Sequence, residues 1–376
     1  MIYLDHNATT PVLPEVVEAM MPWLTRNWGN PSSIHAQGRA ARRAVEEARN
    51  KVARLVGAFP EQVVFTSGAT EANNSAIHSA LIHDPTKRHI VTSLVEHSAI
   101  LAYCDFVKRH HGAEITCLSV NPDGMLSADD LKAAIRPDTA LVSLMWANNE
   151  TGIIWPVAEF ARICAEAGVP FHTDAVQAIG KRPVHFEECG TSFLSLSGHK
   201  IGAPKGIGAL IVSDPMSFEP LIHGGKQESG LRGGTESVPL IVAFGAAAEI
   251  ISKRDAECWK PVKKLRDEFE RLLIQRIPGA AINGAGAERL PNTSNVFLPG
   301  LDGDALVTFL DQNGICVSSG SACLESAITP SHVIFEMARS HDRASESLRI
   351  SIGLNTSASE LLNLTEAIEK FYAISV

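Results

Sequence analysis

From about Val16 to Leu221 the chain alternates stretches of helical period with short apolar runs. The spacing predicts helices over Val45 to Val56, Glu71 to Ile82 and Ala99 to His110. It predicts strands at Val63 to Thr66, His89 to Ser93, Ile115 to Ser119, Ala140 to Trp146, Val169 to Thr173, Phe193 to Ser197 and Ala209 to Val212. Short apolar strands separated by helices imply an α/β unit with a mostly parallel sheet covered on both faces. A long helical stretch from Leu240 to Ile277 follows, punctuated by Pro261. After it the rhythm changes, and Asn295 to Leu298, Ala305 to Gln312, Ile315 to Ser318 and Leu348 to Ile352 suggest a smaller α+β unit, closed by a helix from Ser359 to Ala373. The expected division is a large domain over 12–255 and a small domain formed by 1–11 and 256–376, in keeping with the usual size of domains.

Composition narrows the class. The chain has 376 residues, 45% hydrophobic and 20% charged, enough for roughly two domains with sizeable cores. A net charge of −9 argues against a nucleic-acid surface, which is normally basic. No apolar run approaches the ~18–20 residues that span a bilayer. The opening residues show neither a basic and apolar leader nor an Arg-rich one, so the expected location is the cytoplasm. Seven cysteines, Cys104, Cys117, Cys164, Cys189, Cys258, Cys316 and Cys323, form no Cys-x-x-Cys pair and suggest neither a zinc site nor a disulfide framework. Most sit in apolar context and are expected to be buried, inert thiols.

The chemistry gathers at the ends of the predicted strands. Phe171-His172-Thr173-Asp174 and Leu194-Ser195-Leu196-Ser197-Gly198-His199-Lys200 end respectively in a carboxylate and an amine. That pair suits pyridoxal phosphate: a lysine can carry the aldehyde, and an aspartate can keep the pyridine nitrogen protonated. Lys205 and Lys226 are alternative lysines by chemistry alone. Strand, tight turn and helix start follow one another in Val63 to Glu71, where backbone N–H groups at a helix N-terminus suit a phosphate. Thr70 there reads equally as an ordinary helix cap. Ser197 and His199 are further phosphate donors. His97, after the strand ending at Ser93, suits ring stacking or proton transfer, or is a surface histidine. Asp174 with Gln177 reads either as a capping pair or as two contacts to one ring. Asn149 closes another strand, so the candidates converge where open α/β sheets bind ligands. Arg349 suits a bidentate grip on a substrate carboxylate, or is a solvated edge-strand arginine. Cys323, in Ser318-Ser319-Gly320-Ser321-Ala322-Cys323, has little around it that packs and is expected to be accessible.

Taken together, Tyr3-Leu4-Asp5-His6-Asn7-Ala8-Thr9-Thr10, Gly29-Asn30-Pro31-Ser32-Ser33-Ile34-His35, Phe65 to Glu71, Asn148-Asn149-Glu150-Thr151-Gly152, His172 to Gln177, Ser197 to Lys200, Arg232-Gly233-Gly234-Thr235-Glu236 and Ser319 to Cys323 resemble the cysteine desulfurases of the NifS/IscS type. These are class V, fold type I pyridoxal-phosphate enzymes, and the resemblance runs nearly end to end. It implies the Schiff base on Lys200, ring stacking by His97, the pyridinium partner Asp174 and the ring-hydroxyl contact Gln177. It implies phosphate binding by Ala69, Thr70, Ser197 and His199, with Thr235 supplied by the second subunit of a homodimer. Asn149 and Arg349 would take the substrate carboxylate, with Asn149 also near the cofactor. The implied reaction converts L-cysteine to L-alanine, Cys323 taking the sulfur as a persulfide for an acceptor such as an iron–sulfur scaffold protein. Selenocysteine lysis and class V transamination are the alternatives. The resemblance implies no intrinsic metal, Cys323 being at most a transient iron–sulfur ligand.

Overall fold

A computed structural model of the chain describes residues 1–320 and 330–375. After a two-residue strand β1 (Ile2–Tyr3), seven strands form the central sheet: β2 (Val63–Thr66), β3 (His89–Ser93), β4 (Glu114–Leu118), β5 (Thr139–Ser143), β6 (Phe171–Asp174), β7 (Phe193–Ser197) and β8 (Gly208–Val212). Their order is β2-β8-β7-β6-β5-β3-β4. Pairing is parallel from β4 to β7, and β8 runs antiparallel to both β7 and β2. The expected mostly parallel sheet is present. Strand β2 therefore points the same way as the parallel set, and the chain leaves five strands, β2, β3, β5, β6 and β7, at the same end of the sheet as β4. Every residue of these strands and of β8 is buried, polar ones such as His89, Thr92, His172 and Ser195 included, as expected of a sheet covered on both faces.

The helices read from the pattern are present but longer: Ala36–Leu55, Ala69–His83 and Ser98–His111. Pro14–Thr25, Ala128–Ala134 and Val157–Glu166 add helices that the pattern did not single out. The stretch from Leu240 to Ile277 is two helices, Val238–Ser252 and Lys260–Arg276. Pro261 lies in the first turn of the second, where a missing N–H costs no helical hydrogen bond. Helices Ala36–Leu55 and Val238–Ser252 come together at Gly245, where a Cβ would stand 2.6 Å from Ala48 Cα.

The C-terminal part forms an antiparallel sheet in the order β12-β10-β9, from β9 (Ala281–Ile282), β10 (Thr293–Phe297) and β12 (Ser347–Ser351). Strand β1 returns to this part and pairs in parallel with β11 (Ile315–Cys316). Leu4, Phe269, Leu273, Val296, Leu306, Leu348 and Leu364 share an apolar core separate from those flanking the central sheet. The helix His332–Ala338 goes the other way: its Val333, Ile334 and Met337 join the core of the central sheet. No helix among the described residues is long and apolar enough to cross a membrane.

The expectation of buried thiols needs correction. Among the described cysteines only Cys104 and Cys164 are buried; Cys117 is exposed, and Cys189, Cys258 and Cys316 are partly so. Cys117 lies on edge strand β4, Cys189 in the four-residue helix Phe186–Cys189 and Cys316 in a two-stranded pair, places where apolar neighbours in sequence do not produce burial on all sides.

The turn after β3 buries a carboxyl group. Glu96 is 1% exposed, and its Oε1 accepts from Ser93 Oγ at 2.9 Å and the Met145 N–H at 3.0 Å. Its Oε2 has no hydrogen-bond partner among the described residues. Burial, with the Asp174 charge nearby, pushes this carboxyl up from 4.5 to about 8. The folded chain then holds a proton that the unfolded chain releases, so this contribution is complete below about pH 4.5 and is lost as the pH rises towards 8. Within that window the slope is about 1.4 kcal/mol per pH unit. Glu96→Gln should flatten the profile, and urea unfolding of both proteins at pH 5 and pH 8.5 checks this: the wild type is expected to lose more stability over the interval than the variant.

Candidate active site

At the carboxyl ends of the five strands opens a cavity of about 670 Å³. Ala69, Thr70, His97, Asn149, Asp174, Gln177, Ser197, His199, Lys200 and Arg349 all line it. Thr235 does not; it is exposed on the segment before helix Val238–Ser252. Cys323 lies outside the described residues. Of the alternative lysines, Lys205 reaches the cavity rim but is exposed, and Lys226 is exposed and lines none of it.

One end of the cavity suits an anion. Helix Ala69–His83 begins after Gly68, and no side chain caps its first turn, so Thr70 is a first-turn residue and not the cap. The uncapped N–H groups and the positive end of the helix dipole face the cavity that Ala69 and Thr70 line. Strand β8 can lie against this turn because residue 208 is glycine; a Cβ there would stand 2.7 Å from the Gly68 carbonyl carbon. An acidic side chain so near would oppose an anion, but Glu71 is turned aside. It accepts from the Ser67 N–H at 2.8 Å and from Arg232 Nε at 2.9 Å, and the Arg232 charge and these bonds hold its carboxyl below the usual range despite partial burial. The segment carrying Arg232 and Thr235 is anchored further by Glu228, whose two oxygens take Arg49 at 2.7 and 2.8 Å in a buried pair. His199 Nδ1 lies 3.1 Å from Thr9 Oγ1, and burial, with Lys200, Lys205 and His97 nearby, lowers its pKa to about 4, so the ring is neutral at pH 7.

The other end holds an amine and a carboxylate. Lys200 closes a short 3₁₀ turn after β7, and its Nζ donates to the carbonyls of Asn7 at 2.5 Å and Ala8 at 2.7 Å. Asp174 ends β6, and the residues after it form a turn, not a helix, so the capping reading of Asp174 and Gln177 is excluded. Asp174 Oδ2 accepts from Asn73 Nδ2 at 2.7 Å and Oδ1 from the Val176 N–H at 3.0 Å, which fixes the carboxylate plane. Gln177 Nε2 donates to the Asn7 carbonyl at 3.0 Å. His97 caps helix Ser98–His111, its Nδ1 accepting from the Ala99 N–H at 3.1 Å; an accepting Nδ1 places the proton of the neutral ring on Nε2.

Arg349 sits on edge strand β12 yet is only 2% exposed, so the solvated reading fails. Its Nη2 pairs with Asp5 Oδ1 at 2.8 Å, its Nη1 reaches the Asn149 carbonyl at 3.4 Å, and its buried Nε has no partner among the described residues. An arginine held by one arm with donors remaining is prepared for a carboxylate.

Several neighbours were not singled out from the sequence. Asn73 lies one helical turn beyond Ala69 and Thr70, a spacing that could have placed it on the cavity face. Asp5 and Asn7 stood inside a quoted motif without a role. Glu150, fully buried, accepts from Ser331 Oγ at 2.5 Å, and His332 Nε2 lies 3.0 Å from the Glu96 carbonyl; both line the cavity, and no local pattern announces either. The residue set suits pyridoxal phosphate: an uncapped helix terminus for the phosphate, an oriented carboxylate for the ring nitrogen and an amine for the aldehyde.

Comparison with known proteins agrees. The family model described as aminotransferase class-V matches residues 2–364. A cysteine desulfurase of Cereibacter sphaeroides is 47% identical over 368 residues, which are 98% of this chain and 94% of that protein. A solved structure described as a NifS-like protein superposes with a TM-score of 0.92 at 34% identity, covering 99% of each chain. Another, described as SspA in complex with cysteine, gives a TM-score of 0.83 at 36% identity, covering 94% of this chain and 99% of that one. With a matching family model across nearly its whole length and relatives of this identity, the chain belongs to the class-V aminotransferase family of pyridoxal-phosphate enzymes and, within it, to the cysteine desulfurases.

Proposed function

We propose that this enzyme takes sulfur from L-cysteine, releasing L-alanine, and holds it as a persulfide on Cys323 for iron–sulfur cluster assembly. The observation that carries the reading is the single cavity in which Lys200, Asp174, His97, Arg349 and an uncapped helix N-terminus converge. A similar protein's structure is described as a complex with cysteine, which supports the substrate. Pyridoxal phosphate, when bound, supplies an electron-withdrawing ring that makes the α-hydrogen of an attached amino acid acidic.

The chain's own groups do the rest. Ala69, Thr70, Ser197 and His199 bind the phosphate, joined by Thr235 from a second copy; the exposure of Thr235 away from its own cavity supports that assignment and a homodimer. Asp174, held by Asn73 and Val176, keeps the ring nitrogen protonated. Gln177 contacts the ring oxygen, and His97 stacks on the ring and offers Nε2 for proton transfer at the thiol. Lys200 carries the cofactor and, once released, moves the α-proton. Arg349 and Asn149 take the carboxylate. The Cys323 thiolate then attacks the substrate sulfur: a carbon–sulfur bond breaks, a sulfur–sulfur bond forms, and a proton on the former β-carbon completes alanine. We assign the enzyme to the cytoplasm. Residues 12–255 form the large domain of this reading and 1–11 with 256–376 the small one, supported by the separate core containing Leu4 and Leu364.

Three measurements test this. Incubated with L-cysteine and dithiothreitol, the wild type is expected to release sulfide and alanine in equal amounts, and Cys323→Ala neither; alanine still released by the variant favours a lyase reaction, and a sulfur-containing keto acid in place of alanine favours transamination. Borohydride should fix the cofactor on the peptide containing Lys200, and not on that containing Lys205. Arg349→Lys, which loses the planar fork, should raise KM for cysteine about tenfold or more, as expected for the loss of a charge-assisted hydrogen bond. An unchanged KM in initial-rate measurements rules out Arg349 as the carboxylate ligand.

A further inference from the structure

Behind the wall of the cofactor cavity, Lys181 is buried at 7% exposure and lines none of that cavity. Its Nζ donates to Gln177 Oε1 at 2.7 Å and to Asn7 Oδ1 at 3.1 Å. Gln177 in turn gives one N–H of Nε2 to the Asn7 main-chain carbonyl at 3.0 Å and lines the cavity. A side-chain amide has a donor end and an acceptor end, and either can face a ligand. Here the oxygen is taken by Lys181, so the nitrogen is left for Asn7 and the cavity. Turning the amide over would break both bonds and set its oxygen against the Asn7 carbonyl. We infer that Lys181 is a positioning residue that fixes the amide of Gln177 with its N–H toward the cofactor cavity.

The inference deepens the reading of Gln177 as the contact to the ring oxygen of pyridoxal phosphate, and rests on it. That oxygen accepts hydrogen bonds, so an N–H facing it attracts and a carbonyl oxygen repels. Burying an amine is costly, and an apolar side chain of similar length would fill the space without that cost. Burial, with the charges of Lys200 and Arg349, holds Lys181 well below the ordinary lysine range. With or without its third proton the amine keeps N–H donors for both oxygens, so its effect on Gln177 persists.

The test is a titration of the apoprotein with pyridoxal phosphate, followed by absorbance, for Lys181→Met, Gln177→Leu, the double variant and Lys181→Arg, with thermal melts to establish folding. Lys181→Met is expected to weaken cofactor binding about tenfold and Gln177→Leu at least as much. The double variant should bind within twofold of Gln177→Leu alone, because on this inference the effect of Lys181 on the cofactor runs through that amide and not through its bond to Asn7. Lys181→Arg, which keeps N–H donors, should recover to within threefold of wild type. Additive losses in the double variant, or an arginine variant as weak as the methionine one, overturn the proposal. So does a Lys181→Met protein that binds normally while Gln177→Leu does not. A Gln177→Leu protein with wild-type affinity sinks the reading of Gln177 itself, and this inference with it. Should Lys181→Met not fold, Lys181→Gln takes its place in the same cycle.

Discussion

The hydrogen bonds of Asn7 hold the cavity to both parts of the chain. Its Nδ2 donates to the Asn149 carbonyl at 3.1 Å and to Thr293 Oγ1 at 2.9 Å, and its Oδ1 accepts from Lys181 and Asn292, each at 3.1 Å. Its N–H donates to Ser351 Oγ at 2.9 Å, and its carbonyl accepts from Gln177 and Lys200. Asn149, Gln177, Lys181 and Lys200 come from loops at the ends of the central strands, and Asn292, Thr293 and Ser351 from the C-terminal sheet region. A buried polar group left unpaired is expensive, so this set is stable only when all its members are in place. The segment from Asp5 to Ala8 thereby becomes a floor shared by both parts, with Asp5 reaching Arg349 on one side and Ala8 reaching Lys200 on the other.

That floor also explains how a chain of net charge −9 gathers three basic side chains in one place. Lys200, Lys181 and Arg349 lie close enough together that the charges of Lys200 and Arg349 lower the pKa of Lys181. Their compensation comes from dipoles and one carboxylate: the carbonyls of Asn7 and Ala8, the amide oxygens of Gln177 and Asn7, and Asp5. Fixed dipoles solvate cations without neutralising them, which leaves the positive potential directed into the cavity. Two acidic groups that would oppose it are turned aside or kept protonated: Glu71 is occupied by Arg232, and buried Glu96 stays neutral until about pH 8.

What could be read in advance follows from range. The strands His89–Ser93 and Phe193–Ser197 were legible to the residue, because short segments with an apolar centre (Ile90-Val91, and Phe193-Leu194 with Leu196) stand between helical stretches. The convergence of Lys200, Asp174, His97 and Asn149 was legible too, since each follows a strand and parallel strands deliver their ends to one edge. Cysteine burial was misjudged for the opposite reason: apolar neighbours in sequence do not tell an edge strand, where Cys117 is exposed, from a central one.

By itself the amino-acid sequence determined the α/β class, the strand ends that carry the chemistry and the family to which they belong, because periodicity, turn residues and motif order are local properties. Only the tertiary structure decided that no helix follows Asp174, that Arg349 is buried against Asp5, and that Lys181 stands behind Gln177. Those choices depend on residues such as Asn7 and Arg349, 342 positions apart, meeting in one buried network. No local preference encodes that meeting; it follows from the cost of leaving buried donors and acceptors unpaired once the two parts close on each other.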